Sequence, residues 1–271
     1  MNLDSHVLHP TAIIHPSARI GANVAIGPYC VVGEHVTLGD GAELVSHVTV
    51  DGRTEIGAGT RIFPFSSIGH IPQDLKYKGE PSVLVIGRNC TIRENVTINP
   101  GTAGGGMTTR IGDNCLIMAS VHVAHDCVLG NNVILASFVG LAGHTVLGDF
   151  VTIGGMCGVH QRVRIGNHAF IGSQSMIDGD VIPYGMAVGN RARLAGLNLV
   201  GLKRRGFDRE SIHTLRAAYR MVFSSEGTLR ERVDDAAQLF KDEPLVQDVV
   251  SFIASASERP LTLPRNGQAE D

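Results

Sequence analysis

The chain has 271 residues, enough for one large domain or a domain with a cap. Its formal net charge of −3 excludes a globally basic nucleic-acid binder, though a local basic patch remains open. No charged-then-apolar leader opens the chain and no apolar run approaches the roughly 18 residues of a spanning helix, so a soluble, cytoplasmic protein without membrane insertion is expected.

A six-residue period dominates. Aliphatic residues recur from Ile14 through Ile20, Ile26 and Val32 to Ile68, return at Ile86, Ile92 and Ile98, and run from Ile111 through Val123, Leu141 and Val159 to Ile177. A small or β-branched residue follows each aliphatic by four positions, as at Val24, Val36, Thr54 and Thr145. Hexapeptide periodicity over this length is the signature of a β-helix. With side chains alternating across each strand, the aliphatic and the residue four positions later point inward, and the two residues after next make the corner. The five cysteines, Cys30, Cys90, Cys115, Cys127 and Cys157, all fall in the small inward position, so they read as buried thiols and not as metal ligands or disulfides.

In chain order, residues 1–13 lead into the first coil, and Gly69–Val85 (GHIPQDLKYKGEPSVLV) leaves the ladder as a long loop, which is usually functional on a repeat protein. A shorter excursion spans Gly104–Arg110, and Pro183 ends the register. A helical segment follows, with Asp208 and Thr228 as candidate caps and Pro244 opening a third helix. The expected division is a β-helix domain over 1–190, a C-terminal helical domain over 191–257, and a tail without ordered structure over 258–271.

Chemistry concentrates in VHVAHDC at 121–127. With three hexads per coil, residues 18 apart stack at about 4.8 Å. His125 then stacks with Gly143 and Gln161, Asp126 with His144 and Arg162, His122 with Gly140 and Gly158, and Ala124 and Ala142 with His160. A His beside a carboxylate is a general-base arrangement, and the glycines leave gaps through which a ligand reaches a backbone N–H. His35, His47 and His168 have no partner in these columns and read as solvated. Two other readings stay open. One is a zinc lyase, since hexapeptide-repeat carbonic anhydrases resemble this prism, with His122, His125, His144 and His160 as candidate ligands. The other is a purely structural β-helix.

The set VAHDC at 123–127, LAGH at 141–144, IGGMCGVHQ at 153–161, QDLKYKGEP at 73–81 and GLKRRGF at 201–207 resembles the UDP-N-acetylglucosamine 3-O-acyltransferases over nearly the whole chain. That resemblance implies a left-handed parallel β-helix in a triangular prism with a C-terminal α-helical cap, assembled as a homotrimer. It implies transfer of a 3-hydroxyacyl group from acyl carrier protein to the 3-hydroxyl of UDP-N-acetylglucosamine, the first step of lipid A biosynthesis, with no cofactor beyond the donor's phosphopantetheine and no metal. By motif match His125 is the base, Asp126 orients it and Gly143 donates its N–H to the oxyanion. His122, His144, His160, Gln161, Gln73, Asp74 and Lys76 line the substrate, and Asn198, Arg204 and Arg205 hold the nucleotide end. The sister N-acyltransferase of the pathway shares the prism but has an extra N-terminal domain, whereas here the ladder starts by Ile14. Val200 and Asn99-Pro100 depart from the commonest family residues, which leaves the choice between a 3-hydroxyl and a 3-amino sugar open.

Overall fold

A computed structural model describes residues 7–265. The chain is a left-handed parallel β-helix whose strands, most of them two residues long, stack into sheets of eleven, nine and eight strands. Along the prism up to Met176–Ile177, strands pair with those three strands later: Leu116–Ile117 with Ile134–Leu135, His122–Val123 with Gly140–Leu141, and Val128–Leu129 with Val146–Leu147. The alternation read from the sequence fills the prism. Ile62, Ile92, Ile117, Leu135 and Ile153 are fully buried, and so are Val24, Val96 and Val133 at the second inward position. Inward hydroxyls are satisfied locally, as where Thr145 Oγ1 donates to Ala142 O at 2.7 Å.

Most corners are tight because the third residue after the aliphatic has left-handed dihedrals. Asn23, Asn89, Asn114 and Asn132 sit there with φ between 54° and 58°. Asparagine and aspartate tolerate this region, whereas other L-residues there cost about 1–2 kcal/mol each. Asp126, His144 and Arg162 hold the same left-handed position, with φ of 60°, 62° and 66°.

Several boundaries differ from expectation. The helix begins earlier, since Val7–Leu8 already pairs with Ala25–Ile26. The long loop closes earlier, since Val83–Ile86 is a strand paired on both sides and Leu84 is buried. The second excursion is displaced toward the N-terminus, with a 3-10 turn at Ala103–Gly105 and a strand at Thr108–Ile111. Pro183 does not end the register, because Gly185–Val188 pairs in parallel with Phe170–Ile171 and then antiparallel with Arg193–Leu197. The boundary expected at 190 therefore falls inside a hairpin.

Among the described residues four helices follow: α1 (Leu199–Arg204), α2 (Arg209–Val222), α3 (Leu229–Leu239) and α4 (Pro244–Ala254). Asp208 caps α2 and Thr228 forms a capping box with Glu231 on α3, as the sequence predicts, whereas the short α1, capped by Asn198, was not foreseen. Residues 258–265 are not a loose tail: Leu261 bridges to Asp180, Pro264 bridges to Leu194, and Thr262 is buried. The rest of the expected tail lies outside the described residues. Nor is His168 simply solvated, as it stacks between Phe150 and Tyr184, at 4.8 and 5.6 Å between ring centroids. His47 is exposed but sits between the rings of Tyr29 and Phe65.

All five cysteines are free and buried, and burial pushes the Cys127 thiol up to about 12. The thiolate is the reactive form. The folded protein should therefore take up almost no aromatic disulfide reagent, and the protein unfolded in guanidinium should take up five equivalents. Rapid labelling of the native protein would contradict the inward register.

Candidate active site

The site lies at the corner where the nine-stranded sheet hands over to the eight-stranded one. His122–Val123 belongs to the former and Val128–Leu129 to the latter, so His125 and Asp126 form the turn between them. The predicted columns are observed, with His144 N donating to His125 O and Arg162 N to Gly143 O, each at 3.0 Å.

His125 Nδ1 lies 2.8 Å from Asp126 Oδ2. An ionised carboxylate only accepts, so Nδ1 carries the proton and Nε2 keeps a lone pair. The Asp126 side chain is completely buried and is held from several directions. Thr102 donates its N–H to Oδ1 at 2.8 Å and its hydroxyl to Oδ2 at 2.6 Å, while Thr109 Oγ1 accepts from Asp126 N at 2.7 Å. Gly105 packs so closely that a Cβ there would overlap the carboxyl group. The second excursion is thus a clasp over Asp126. Glu80 ties the clasp to the long loop, accepting from Ala103 N at 2.9 Å and Lys78 N at 2.8 Å, and these two bonds hold its carboxyl below the usual carboxylate range. Sequence reasoning missed Thr102, Thr109, Gly105 and Glu80. Thr109 falls at the small inward position six residues before Cys115, but the hexad gives no sign that it or the other three serve Asp126, and only the Gly104-Gly105-Gly106 run marks the place.

A groove of about 550 Å³ opens beside His125, lined by His122, Gly140, Gly143, Gly158, His160, Gln73 and Asn99 among others. Thr97 Oγ1 meets His122 Nδ1 at 2.7 Å, and burial, with His125 close by, lowers the basicity of His122. Gly143 N–H has no hydrogen-bond partner among the described residues, which suits it to an incoming oxyanion. Asn99 donates to His70 O and Ile71 O, so this departure from the commonest residue anchors the start of the long loop.

A second pocket of about 340 Å³ brings Asp74, Lys76, Lys78 and Glu80 against Thr102, His144 and Arg162. His144 meets His125 edge-on at 5.1 Å, and burial lowers its basicity although Asp126 opposes the effect. Asp74 also shapes its own loop, accepting from Lys76 N at 3.0 Å.

Other predicted residues lie apart. Gln161 is exposed, outside both cavities, and its carbonyl accepts from Arg259. Asn198 is buried as the α1 cap and donates to His168 O, and Arg205 packs over Phe150 and donates to Phe150 O, while Arg204 is exposed. Phe150 follows Val146–Leu147 of the eight-stranded sheet and precedes Thr152–Ile153 of the eleven-stranded one, so this cluster occupies a different corner of the prism from His125. The expected nucleotide end and the expected base are not brought together within one chain. As to metal ligation, the His/Cys/Asp/Glu group close enough to share an ion among the described residues is His125, Asp126 and His144, and not a set of three histidines. The Asp126 oxygens in that group are already taken by Thr102 and His125.

A hexapeptide prism with a carboxylate-oriented histidine beside an unpaired backbone N–H defines a hexapeptide-repeat acyltransferase. Family profiles agree: bacterial transferase hexapeptide repeats match residues 17–52 and 108–143, and the second domain of UDP N-acetylglucosamine O-acyltransferase matches 180–262. The chain is 61% identical over 205 residues to the acyl-[acyl-carrier-protein]–UDP-N-acetylglucosamine O-acyltransferase of Methylobacterium radiotolerans, covering 76% of this chain and 75% of that one. It is 48% identical over 265 residues to that of Rhizobium leguminosarum bv. trifolii, covering 98% and 97%. The UDP-N-acetylglucosamine O-acyltransferase crystal structure from Moraxella catarrhalis superposes with a TM-score of 0.91 at 44% identity, over 94% of this chain and 99% of that one. The chain belongs to the UDP-N-acetylglucosamine O-acyltransferase family.

The glycines give a contrast that tests the geometry. A Cβ on Gly143 would lie 2.6 Å from His125 Cε1, whereas one on Gly140 meets open space. Gly143→Ala should therefore displace the ring from Asp126 and lower kcat, by about 10²-fold or more if a general base is lost. Gly140→Ala should leave kcat near normal and act on KM by narrowing the groove. Steady-state kinetics on the pair checks this, and equal effects on kcat would contradict the assigned ring position.

Proposed function

We propose that this chain transfers a 3-hydroxyacyl group from acyl carrier protein to the 3-hydroxyl of UDP-N-acetylglucosamine, the first step of lipid A synthesis, with His125 as general base. The observation that carries the mechanism is the hydrogen bond from His125 Nδ1–H to a buried, triply held carboxylate. His125 Nε2 takes the proton of the attacking hydroxyl as that oxygen bonds to the thioester carbonyl. Asp126 stabilises the imidazolium that results. Gly143 N–H receives the oxyanion of the tetrahedral intermediate. Collapse expels the thiolate of the donor's phosphopantetheine, which regains the proton from His125. No metal or further cofactor takes part in these steps.

His122, His160 and Gln73 line the groove where the acceptor sugar binds, Gln161 reaches the sugar from the exposed rim outside it, and Asp74, Lys76 and His144 bind from the adjoining pocket. Asn198, Arg204 and Arg205 take the nucleotide of a substrate held mainly by the neighbouring subunit of a homotrimer. What supports this assembly is that base and nucleotide cluster occupy different corners of one prism, so a symmetric neighbour must join them. The sites then lie between subunits of a cytoplasmic enzyme.

His125→Ala should lower kcat by about 10²–10⁴-fold while the protein still melts normally, because the side chain lies outside the core. Asp126→Asn should cost less. An acyl-transfer assay beside light scattering checks both points, and near-normal turnover in His125→Ala, or full activity in a monomer, refutes the proposal.

The acidic carrier protein needs a basic surface. Residues 191–220 hold Arg191, Arg193, Lys203, Arg204, Arg205, Arg209, Arg216 and Arg220 against Asp208 and Glu210. Arg216 and Arg220 lie one turn apart on α2 and line a cleft with Met186 and Leu199. Charge reversal at both positions should raise KM for the carrier protein, chiefly at low salt, and leave KM for the UDP sugar nearly unchanged. An unaltered salt dependence would place docking elsewhere.

A further inference from the structure

The C-terminal segment crosses the active edge. Asp180 N donates to Pro260 O and Thr262 N to Asp180 O, each at 2.8 Å, and Leu194 N donates to Leu263 O. Asp180, itself buried, is fixed by Arg164, whose Nη1 also reaches Ser255 Oγ at 2.6 Å. The approach is close enough that a Cβ on Gly179 would lie 2.6 Å from Pro260 O. The segment is therefore a seated strap, and it aims two charged residues at the catalytic corner. Glu258 pairs with Arg162. Arg259 Nη2 lies 2.6 Å from His160 Nδ1, and its Nε donates to Gln161 O at 2.8 Å.

A guanidinium has donors only, so His160 Nδ1 must accept and the ring proton must sit on Nε2. The competing contact, from His160 Nδ1 to Gln161 O, is longer at 3.3 Å and would require the opposite tautomer. Gln161 O is already served by Arg259. We propose that Arg259 is a positioning residue that locks His160 as the Nε2–H tautomer and so gives the acceptor groove a hydrogen-bond donor. The groove then holds two histidines of opposite polarity. His125, backed by a carboxylate, presents a lone pair that takes a proton, and His160, backed by a guanidinium, presents an N–H that holds a ligand oxygen. This deepens the proposed acyl-transfer reading by assigning His160 an oxygen acceptor on the sugar nucleotide.

Side-chain 15N NMR of the unliganded protein, with the His160 signal assigned by its loss in His160→Ala, reads the tautomer directly. The native protein should show the proton on Nε2, and Arg259→Ala should shift the ring toward a tautomer mixture. A native His160 carrying its proton on Nδ1 overturns the proposal. This spectrum needs no substrate, so it stands whether or not the sugar assignment holds. In the acyl-transfer assay, Arg259→Ala should raise KM for UDP-N-acetylglucosamine by about tenfold with a smaller change in kcat, the loss expected for one ligand hydrogen bond. The same substitution in a His160→Ala background should add little. A merely structural role for the strap would give equal losses in both backgrounds, and that result also overturns the proposal.

Discussion

The parallel ladder bond between successive coils is the constraint on which the molecule depends. Because each coil repeats the one before it, a backbone bond such as His144 N to His125 O also dictates which side chains stand in line. A strand register is normally pinned by the side chains it buries. Here the inward aliphatics pin it so completely that the outward residues are placed without further choice. His122, Gly140 and Gly158 share one line, and His125, Gly143 and Gln161 another. Glycine appears in both lines for reasons that differ. At Gly143 it admits the His125 ring, and at Gly140 it leaves open groove.

A ladder alone cannot make a catalytic base. Its corners are exposed, and a solvated Asp126 would orient His125 only weakly. The two excursions supply what the repeat lacks. The clasp at Ala103–Gly105 removes Asp126 from water and gives its carboxylate an N–H and a hydroxyl to replace it. Burying a charge without such partners would cost several kcal/mol. Glu80 then joins the clasp to the loop bearing Gln73, Asp74 and Lys76. The residues that orient the proposed base and the residues proposed to meet substrate are therefore parts of one connected unit.

This division explains what was legible in the sequence. The hexad ladder, the inward cysteines and the stacking of Asp126 under His144 follow from a period of six and could be read by counting. The Thr102 contact to Asp126 spans 24 residues and crosses an irregular insertion, so no periodicity announces it. The strand at Val83–Ile86 reads as loop because the two rung positions before it hold Asp74 and Glu80, so the ladder becomes visible again only at Ile86, in phase with Ile68. The hairpin of Gly185–Val188 and Arg193–Leu197 was hidden by Pro183, which reads as a stop but occupies a corner where no strand N–H is needed. The motif resemblance implies roles that periodicity cannot, and within a single chain Asn198 caps α1 while Arg205 packs over Phe150.

The polar segment after α4 is where composition misled most. Its Ser, Glu, Arg and Pro content resembles a solvated tail, and short polar segments seldom repay their ordering entropy. This one is held because the end of the β-helix presents unpaired strand edges at Asp180 and Leu194, and the strap covers both. Edge backbone groups left bare are a liability that proteins cover or pair. Once those edges fix the segment, Glu258 and Arg259 fall against Arg162 and His160. Covering the open end of the solenoid and furnishing its proposed active corner are thus consequences of the same few backbone hydrogen bonds.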